Sequence, residues 1–372
     1  MRATLERAHL LKSLSHVHRV VERRTTIPIL SNVLVKAVDG ELRLKATDLD
    51  LEVSEVVPAL VEQPGATTVP AYLLHDIVRK LPDGSQVQIE TAPDGSSLII
   101  RSGRSRFTLQ MLPEQDFPDI TAGEFPFTFT LPALEMKRLI DATQFAISNE
   151  ETRYYLNGIY LHTLNTPEGA MLRAVSTDGH RLARAELPAP AGAEGMPGVI
   201  VPKKTVGEIQ RLIEDPAAEL TVELSDVKIR LTLGPVVLTS KLIDGTFPDY
   251  MRVIPQGNDK EMHLDRKSFA EAVDRVSTVS SERGRAVKLS LSDNKLVLTV
   301  TNPDSGSATE ELPVDYDSTP LEIGFNSRYL LDIAAQLETD TAVFRLADPG
   351  SPTLVYDKGI TRALYVLMPM RV

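Results

Sequence analysis

The chain has 372 residues, a net charge of −11, and neither cysteine nor tryptophan. That length exceeds one small domain and predicts two to four, and 42% hydrophobic against 24% charged residues excludes global disorder. Without cysteine there are no disulfides, thiolate zinc sites, iron–sulfur ligands or cysteine nucleophiles; no metal site and no cofactor is predicted, and the lack of long apolar runs predicts a cytoplasmic protein without membrane contact.

In chain order, an amphipathic helix is expected over 5–21. Residues 1–24 carry Arg2, Arg7, Lys12, Arg19, Arg23 and Arg24 against Glu6 and Glu22, a basic opening to an acidic protein. It reads either as a solvated face balanced by acidic neighbours or as a surface for phosphates. Strands at 41–45 and 49–53 follow, then a turn and helix over 69–81, a hairpin over 87–101 around Pro93-Asp94-Gly95, and a closing strand over 107–112. The same sentence recurs with helices over 132–147 and 201–213, a hairpin over 220–233 and a closing strand over 237–242. A third copy has helices over 265–279 and 325–337, strands at 287–291 and 296–300, a hairpin over 343–356 and a closing strand over 364–368. Pro70, Pro202 and Asn326, at matching positions, lie 132 and 124 residues apart.

The implied fold class is α+β: three repeated domains at 1–122, 128–253 and 261–372, each opening with a helix and packing two helices on antiparallel sheet, joined by linkers near 121–126 and 255–260. Such sheets leave edges, and a head-to-tail pairing of edges whose rotation closes gives a ring. The last strand of the first repeat offers Arg101, Arg104, Arg106, Phe107 and Leu109, and the third repeat offers Asp304, Glu310 and Glu311, opposite in sign.

Catalytic signals are sparse. Asp178 two residues before His180 could serve a hydrolase, but no GxSxG elbow, HExxH or cysteine accompanies them. The stretch Arg101-Ser102-Gly103-Arg104-Ser105 lacks the GxxxxGK[ST] pattern of a phosphate-binding loop.

Ser176-Thr177-Asp178-Gly179-His180-Arg181-Leu182-Ala183, Arg153-Tyr154-Tyr155-Leu156-Asn157-Gly158, Phe247-Pro248-Asp249-Tyr250 and Tyr365-Val366-Leu367-Met368-Pro369-Met370-Arg371-Val372 closely resemble, in order and over essentially the whole chain, the bacterial beta sliding clamp family, processivity subunits of DNA polymerase III. The resemblance implies a homodimeric ring whose helices line a hole around double-stranded DNA, a non-enzymatic role, and partners that dock by linear peptides: the replicative polymerase, the clamp loader, and repair and translesion polymerases. It implies a peptide-binding cleft from Leu156, Thr177, Gly179, His180, Arg181, Leu182, Pro248, Arg252, Val253, Asn326, Tyr329, Val366, Met368, Pro369, Met370 and Arg371, in which Met side chains adapt to varied ligands and Arg and Asn orient a peptide backbone. Residues expected near DNA are Arg24, Arg79, Lys80, Arg153, Tyr154, Lys203 and Lys204, with Arg7, Lys12, Arg19 and Arg211 also turned inward; the dimer interface would take Arg104, Arg106, Phe107 and Leu109 against Thr278, Val279, Asp304, Glu310 and Glu311. The family commonly ends in Leu where this chain has Val372. Against this stand a scaffold that does not encircle DNA and a hydrolase using Asp178 and His180.

Overall fold

The computed structural model describes residues 1–372. The chain packs as two compact units, one of Met1–Leu134, Pro190–Ala193 and Gly207–Leu242, the other of Glu135–Ala189, Glu194–Val206 and Ile243–Val372.

The six helices fall where apolar spacing predicts: α1 Arg7–Val17, α2 Ala71–Lys80, α3 Ala133–Thr143, α4 Lys203–Leu212, α5 Arg266–Ser277 and α6 Ser327–Gln336. The repeats do not open with a helix, however. Strands Arg2–Glu6, Phe127–Pro132 and Lys260–Asp265 run directly into α1, α3 and α5. In the first, alternating Ala3 and Leu5 are buried, and period-two burial overrides the helical reading from residue 5. All three helices begin on one register: the backbone N–H of Arg7, Ala133 and Arg266 donates to Ser85, Ala218 and Asp340 carbonyls at 2.8–2.9 Å.

At that first helical position Arg7 and Arg266 repeat one device. Arg7 donates to the Val78 and Arg79 carbonyls at 3.1 and 2.7 Å and pairs with Asp83 at 2.6 Å. Arg266 donates to the Ala334 and Thr339 carbonyls at 3.4 and 3.1 Å. Each satisfies carbonyls at the end of the second helix of its repeat, where a cation also complements the helix dipole. Arg7 is therefore committed within the fold and is not an inward phosphate contact.

Four antiparallel sheets carry these helices. The first unit has a five-stranded sheet ordered Leu60–Gln63, Arg2–Glu6, Gln86–Thr91, Ser97–Ser102, Ser105–Gln110, and an eight-stranded sheet ordered Phe127–Pro132, Glu219–Leu224, Lys228–Leu233, Val236–Lys241, Leu51–Pro58, Glu41–Thr47, Asn32–Val38, Gly65–Pro70. The second has an eight-stranded sheet ordered Val199–Pro202, Gly158–Thr166, Gly169–Thr177, Arg181–Pro188, Ala363–Leu367, Thr353–Asp357, Thr341–Leu346, Lys260–Asp265, and a four-stranded one ordered Gly306–Pro313, Lys295–Asn302, Ala286–Ser292, Leu321–Asn326.

Both eight-stranded sheets contain the same seam, at which the closing strand of one repeat joins the third sheet strand of the preceding repeat. In the first unit Leu238 lies opposite Val53, and in the second Val366 lies opposite Leu182. The remaining closing strand, Ser105–Gln110, and the remaining strand of the other type, Gly306–Pro313, are sheet edges. Behind the second unit's sheets, Phe269 and Val273 of α5 and Leu330 and Ile333 of α6 share one core with Leu289, Leu298, Phe344 and Tyr365.

Candidate functional site

Strand Gly169–Thr177 turns into Arg181–Pro188 through Asp178, Gly179 and His180. Thr177 Oγ1 donates to the Arg181 carbonyl at 2.7 Å, and Asp178 Oδ1 accepts the backbone N–H of His180 and Arg181 at 2.9 and 3.0 Å. Gly179 has φ of +89°, which calls for glycine, and a Cβ there would push aside the Arg153 guanidinium, the end of a flexible side chain. The Asp178–His180 spacing is thus that of a turn: the carboxylate binds its own backbone and Arg181, which leaves no relay to the imidazole.

Arg181 ties this turn to the rest of the unit. Its guanidinium donates to Asp178 Oδ2 at 3.1 Å, to Asp332 Oδ2 of α6 at 2.6 Å and to the Phe145 carbonyl at 2.9 Å. It also lies over the Tyr329 ring at 4.2 Å. Its side chain is 10% exposed, and three of its five N–H donors are engaged within the fold, so it acts as a strut for the turn. Asn326 is similarly employed, its side chain capping α6 through the Arg328 N–H at 2.9 Å.

Leu156, Leu182 and Val366, from three distant segments, are brought together in one buried apolar cluster with Val175, Ile200, Phe247 and Tyr250. Met251, Val253, Met368 and Met370 remain 37–54% exposed; Gly179, His180, Pro248, Arg252 and Arg371 are exposed, and Thr177, Tyr329 and Pro369 half-buried. The chain end is docked: Met368 N–H donates to the His180 carbonyl at 3.0 Å and Met370 N–H to the Gly324 carbonyl at 2.7 Å. Gly324 has no room for a side chain beneath Met370 and Val372.

Sequence reasoning missed Gly324, Phe145 and Asp332 as supports, and it quoted Phe247 and Tyr250 only as a motif. It also missed a polar row on strands Gly158–Thr166, Gly169–Thr177 and Arg181–Pro188, where His162 lies opposite Arg173 and Arg173 opposite Glu186. The Tyr250 hydroxyl sits on that row, 2.9 Å from His162 Nε2 and 3.0 Å from an Arg173 nitrogen. Burial pushes the His162 imidazole down to about 4 and raises the Tyr250 phenol.

The residues expected near DNA separate. Arg24, Arg79 and Lys80 are exposed, Arg79 within 3.4 Å of an equally exposed Asp76, a pairing worth little in water. Lys203 and Lys204 open α4, with Lys203 Nζ donating to Asn149. Tyr154, 52% exposed, lies in the 3₁₀ turn Glu151–Leu156 and not on a strand. Arg153 is paired with the exposed Glu150 at 2.8 Å, and the Asp178 carbonyl accepts from it at 3.2 Å, which sets it against the turn at Gly179.

Of the residues expected at the interface, Arg104, Arg106, Thr278, Asp304 and Glu311 are exposed, and Phe107 and Val279 are half-buried. Leu109 is 5% exposed and belongs to the core of its own sheet. Glu310 already has an ion-pair partner in its own chain, Arg275 at 2.6 Å.

Comparisons with known proteins agree along the whole length. The profile of the DNA polymerase III beta subunit N-terminal domain matches residues 1–121, that of the central domain 130–249 and that of the C-terminal domain 251–371. The chain is 53% identical over 372 residues to the beta sliding clamp of Caulobacter vibrioides and 41% over 374 residues to that of Escherichia coli K12, each covering 100% of both chains. Among solved structures, the Bartonella birtlesii sliding clamp bound to griselimycin matches at a TM-score of 0.97 and 57% identity, and the Pseudomonas aeruginosa DNA polymerase III beta subunit at 0.94 and 41%, both covering 100% of each chain. The repeats are those of a processivity subunit, built of three clamp domains. The chain belongs to the beta sliding clamp family, the beta subunits of DNA polymerase III, and its function is that of a DNA sliding clamp.

Proposed function

We propose that two copies of this chain close head to tail into a ring around double-stranded DNA, and that the ring tethers its partners through short peptides held at the turn-and-tail cleft. The observation that carries this reading is the tally of sheet edges. The same seam is made once within each unit, and the two strands left over, Ser105–Gln110 and Gly306–Pro313, are one of each type that the seam joins. A second copy would supply the missing partner at both ends, giving a closed two-fold assembly of six repeats with no free edge. Arg104 and Arg106 on one edge face the sign of Asp304 and Glu311 on the other, and Phe107 and Val279 offer apolar area.

In such a ring the repeats divide at 1–122, 128–253 and 261–372. Arg24, Arg79, Lys80, Lys203 and Lys204 meet phosphates without reading bases, and Tyr154 packs on the strand. Retention comes from topology, so the contact can stay weak and salt-sensitive while the net charge of −11 limits adhesion from outside. A polymerase on even a micromolar peptide contact stays at the primer because the ring cannot leave sideways. The replicative polymerase, an ATP-driven clamp loader, and repair and translesion polymerases share the cleft, and the chain itself catalyses nothing, works in the cytoplasm and needs no membrane.

The test is release from nicked circular DNA. Loaded protein should stay bound to the circle and be lost on linearisation; retention on linear DNA with open ends would overturn the ring. Arg104→Glu with Arg106→Glu should convert the dimer to monomer by mass photometry at nanomolar concentration, and an unchanged dimer mass would remove those edges from the interface.

A further inference from the structure

The cleft depends on a segment, 247–253, that belongs to no sheet. It carries Pro248, Arg252 and Val253 alongside an apolar floor that includes Leu156, Leu182 and Val366, and it is fastened by its two aromatic residues. Both dock on strand Gly158–Thr166 through Tyr160 and His162, which lie two apart and so share a face. Phe247 stacks on Tyr160 with ring centres 4.9 Å apart and planes 11° apart, and Tyr160 stacks on His162 at 4.5 Å and 23°. Gly198 admits this arrangement, because a Cβ there would strike the Tyr160 ring.

The second fastening is polar. Arg173 can only donate, so the Tyr250 oxygen accepts its N–H at 3.0 Å. Arg173 is itself 4% exposed, and Glu186 fixes it at 2.6 and 2.7 Å. The Tyr250 proton then has His162 Nε2, at 2.9 Å, as its acceptor, which requires that nitrogen to be bare and the ring proton to sit on Nδ1. Both partners of one hydroxyl are thereby used in complementary senses, and the row His162, Arg173, Glu186 runs straight across three strands.

We infer that Tyr250, held by His162 and Arg173, is a positioning residue for peptide binding: it fixes the 247–253 segment against the cleft floor without touching the peptide. The inference rests on the cleft reading above and adds to it a set of residues outside the cleft.

The experiment is fluorescence anisotropy of a labelled Gln-Leu-Ser-Leu-Phe peptide titrated with the full-length chain. Tyr250→Phe keeps the ring and removes one buried hydrogen-bonding group, and its Kd should rise roughly three- to tenfold, mostly through faster dissociation. His162→Leu should do the same. His162→Gln, which restores an acceptor oxygen, should return to within about twofold of the parent, and the Tyr250→Phe/His162→Leu double variant should be no worse than Tyr250→Phe alone, since that change already breaks the bond that His162→Leu removes, along with the one to Arg173.

A plain packing role would lower the melting temperature of both His162 variants while leaving peptide affinity untouched, and that result overturns the inference, as does parental affinity in Tyr250→Phe. An intact parental chain that binds no peptide would instead overturn the cleft reading, and this inference with it.

Discussion

The turn at 47–51 in the first unit and the turn at 177–181 in the second are the same object built twice. Thr47 Oγ1 donates to the Leu51 carbonyl at 2.9 Å, as Thr177 does to Arg181; Asp48 Oδ1 accepts the N–H groups of Asp50 and Leu51 at 3.0 and 2.8 Å, as Asp178 does those of His180 and Arg181. Even the seam bond is shared: Lys241 N–H donates to the Asp50 carbonyl at 2.8 Å and Met368 N–H to the His180 carbonyl at 3.0 Å. What differs is the cargo. In the first unit the seam strand ends in Lys241, loosely paired with Asp50 at 3.4 Å in solvent. In the second it runs into Met368 and Met370, and the turn closes on Arg181 instead of Leu51. The backbone supplies a repeated seam, and a few side chains at matched positions convert one copy into a candidate site.

The two turns differ most at those side chains. Deleting residues 368–372 removes both docked methionines and the Gly324 bond, and peptide binding in the anisotropy assay should be abolished while dimer mass is unchanged; peptide binding at parental affinity would detach the tail from the site. Next, Arg181→Ala removes the ion pairs to Asp178 and Asp332, of which Asp178 keeps its backbone partners, and should cost about 1.5–3 kcal/mol. Its counterpart Leu51→Ala, a buried apolar truncation, should cost about 2–5 kcal/mol. Both should lower the calorimetric transition temperature, but only Arg181→Ala should also lose the peptide, and equal peptide loss in both would mean the two turns are not functionally distinct.

The backbone of the two turns carries a smaller effect. The third turn residue is left-handed in both copies, φ +82° at Leu49 and +89° at Gly179. Gly179→Ala should destabilise by about 1–2 kcal/mol through φ strain, and it also crowds Arg153. Leu49→Gly should leave the transition temperature unchanged or raise it, since strain of about 1 kcal/mol is relieved as a half-buried side chain is lost. A fall as large as that of Gly179→Ala would show that Leu49 is not strained.

Much of the fold was legible because it is local. Helical spacing ahead of Leu81, Ile213 and Leu337, and turn signals such as Pro93-Asp94-Gly95, announced the helices and hairpins of each repeat. The short opening strands were hidden because each abuts its helix without a turn, so two periodicities overlap within a few residues. The candidate site was legible only through resemblance. Leu156, Leu182 and Val366 share no pattern, and Arg181 reaches a carbonyl 36 residues away and a carboxylate 151 away. The uses found for Arg7, Arg153 and Glu310 likewise come from partners that only tertiary packing selects, and a charge count cannot separate a free cation from one already spent.

Two histidines, one in each unit, should respond to pH with opposite sign. His16 on α1 is buried between Glu55 at 2.7 Å and Glu214 at 2.9 Å, and the hydrogen bond to Glu55, then that to Glu214, raise its pKa despite burial. A raised folded pKa means that protonation favours the fold: the contribution of His16 is fully present below about 6.5, the unfolded value, and is lost as pH rises through its folded pKa. His162 is the reverse. Burial depresses it to about 4, so its contribution is present above about 6.5 and is lost as pH falls towards 4. Relative to the parental chain, His16→Gln should therefore lose its destabilisation on going from pH 6 to 9, while His162→Gln should become relatively more stable on going from pH 7 to 4.5. Melting temperatures of the three chains across that range check both signs. A His162→Gln difference that does not change between pH 7 and 4.5 would mean that the imidazole under Tyr250 is not held neutral by the fold, and would remove the bare Nε2 that accepts the tyrosine proton.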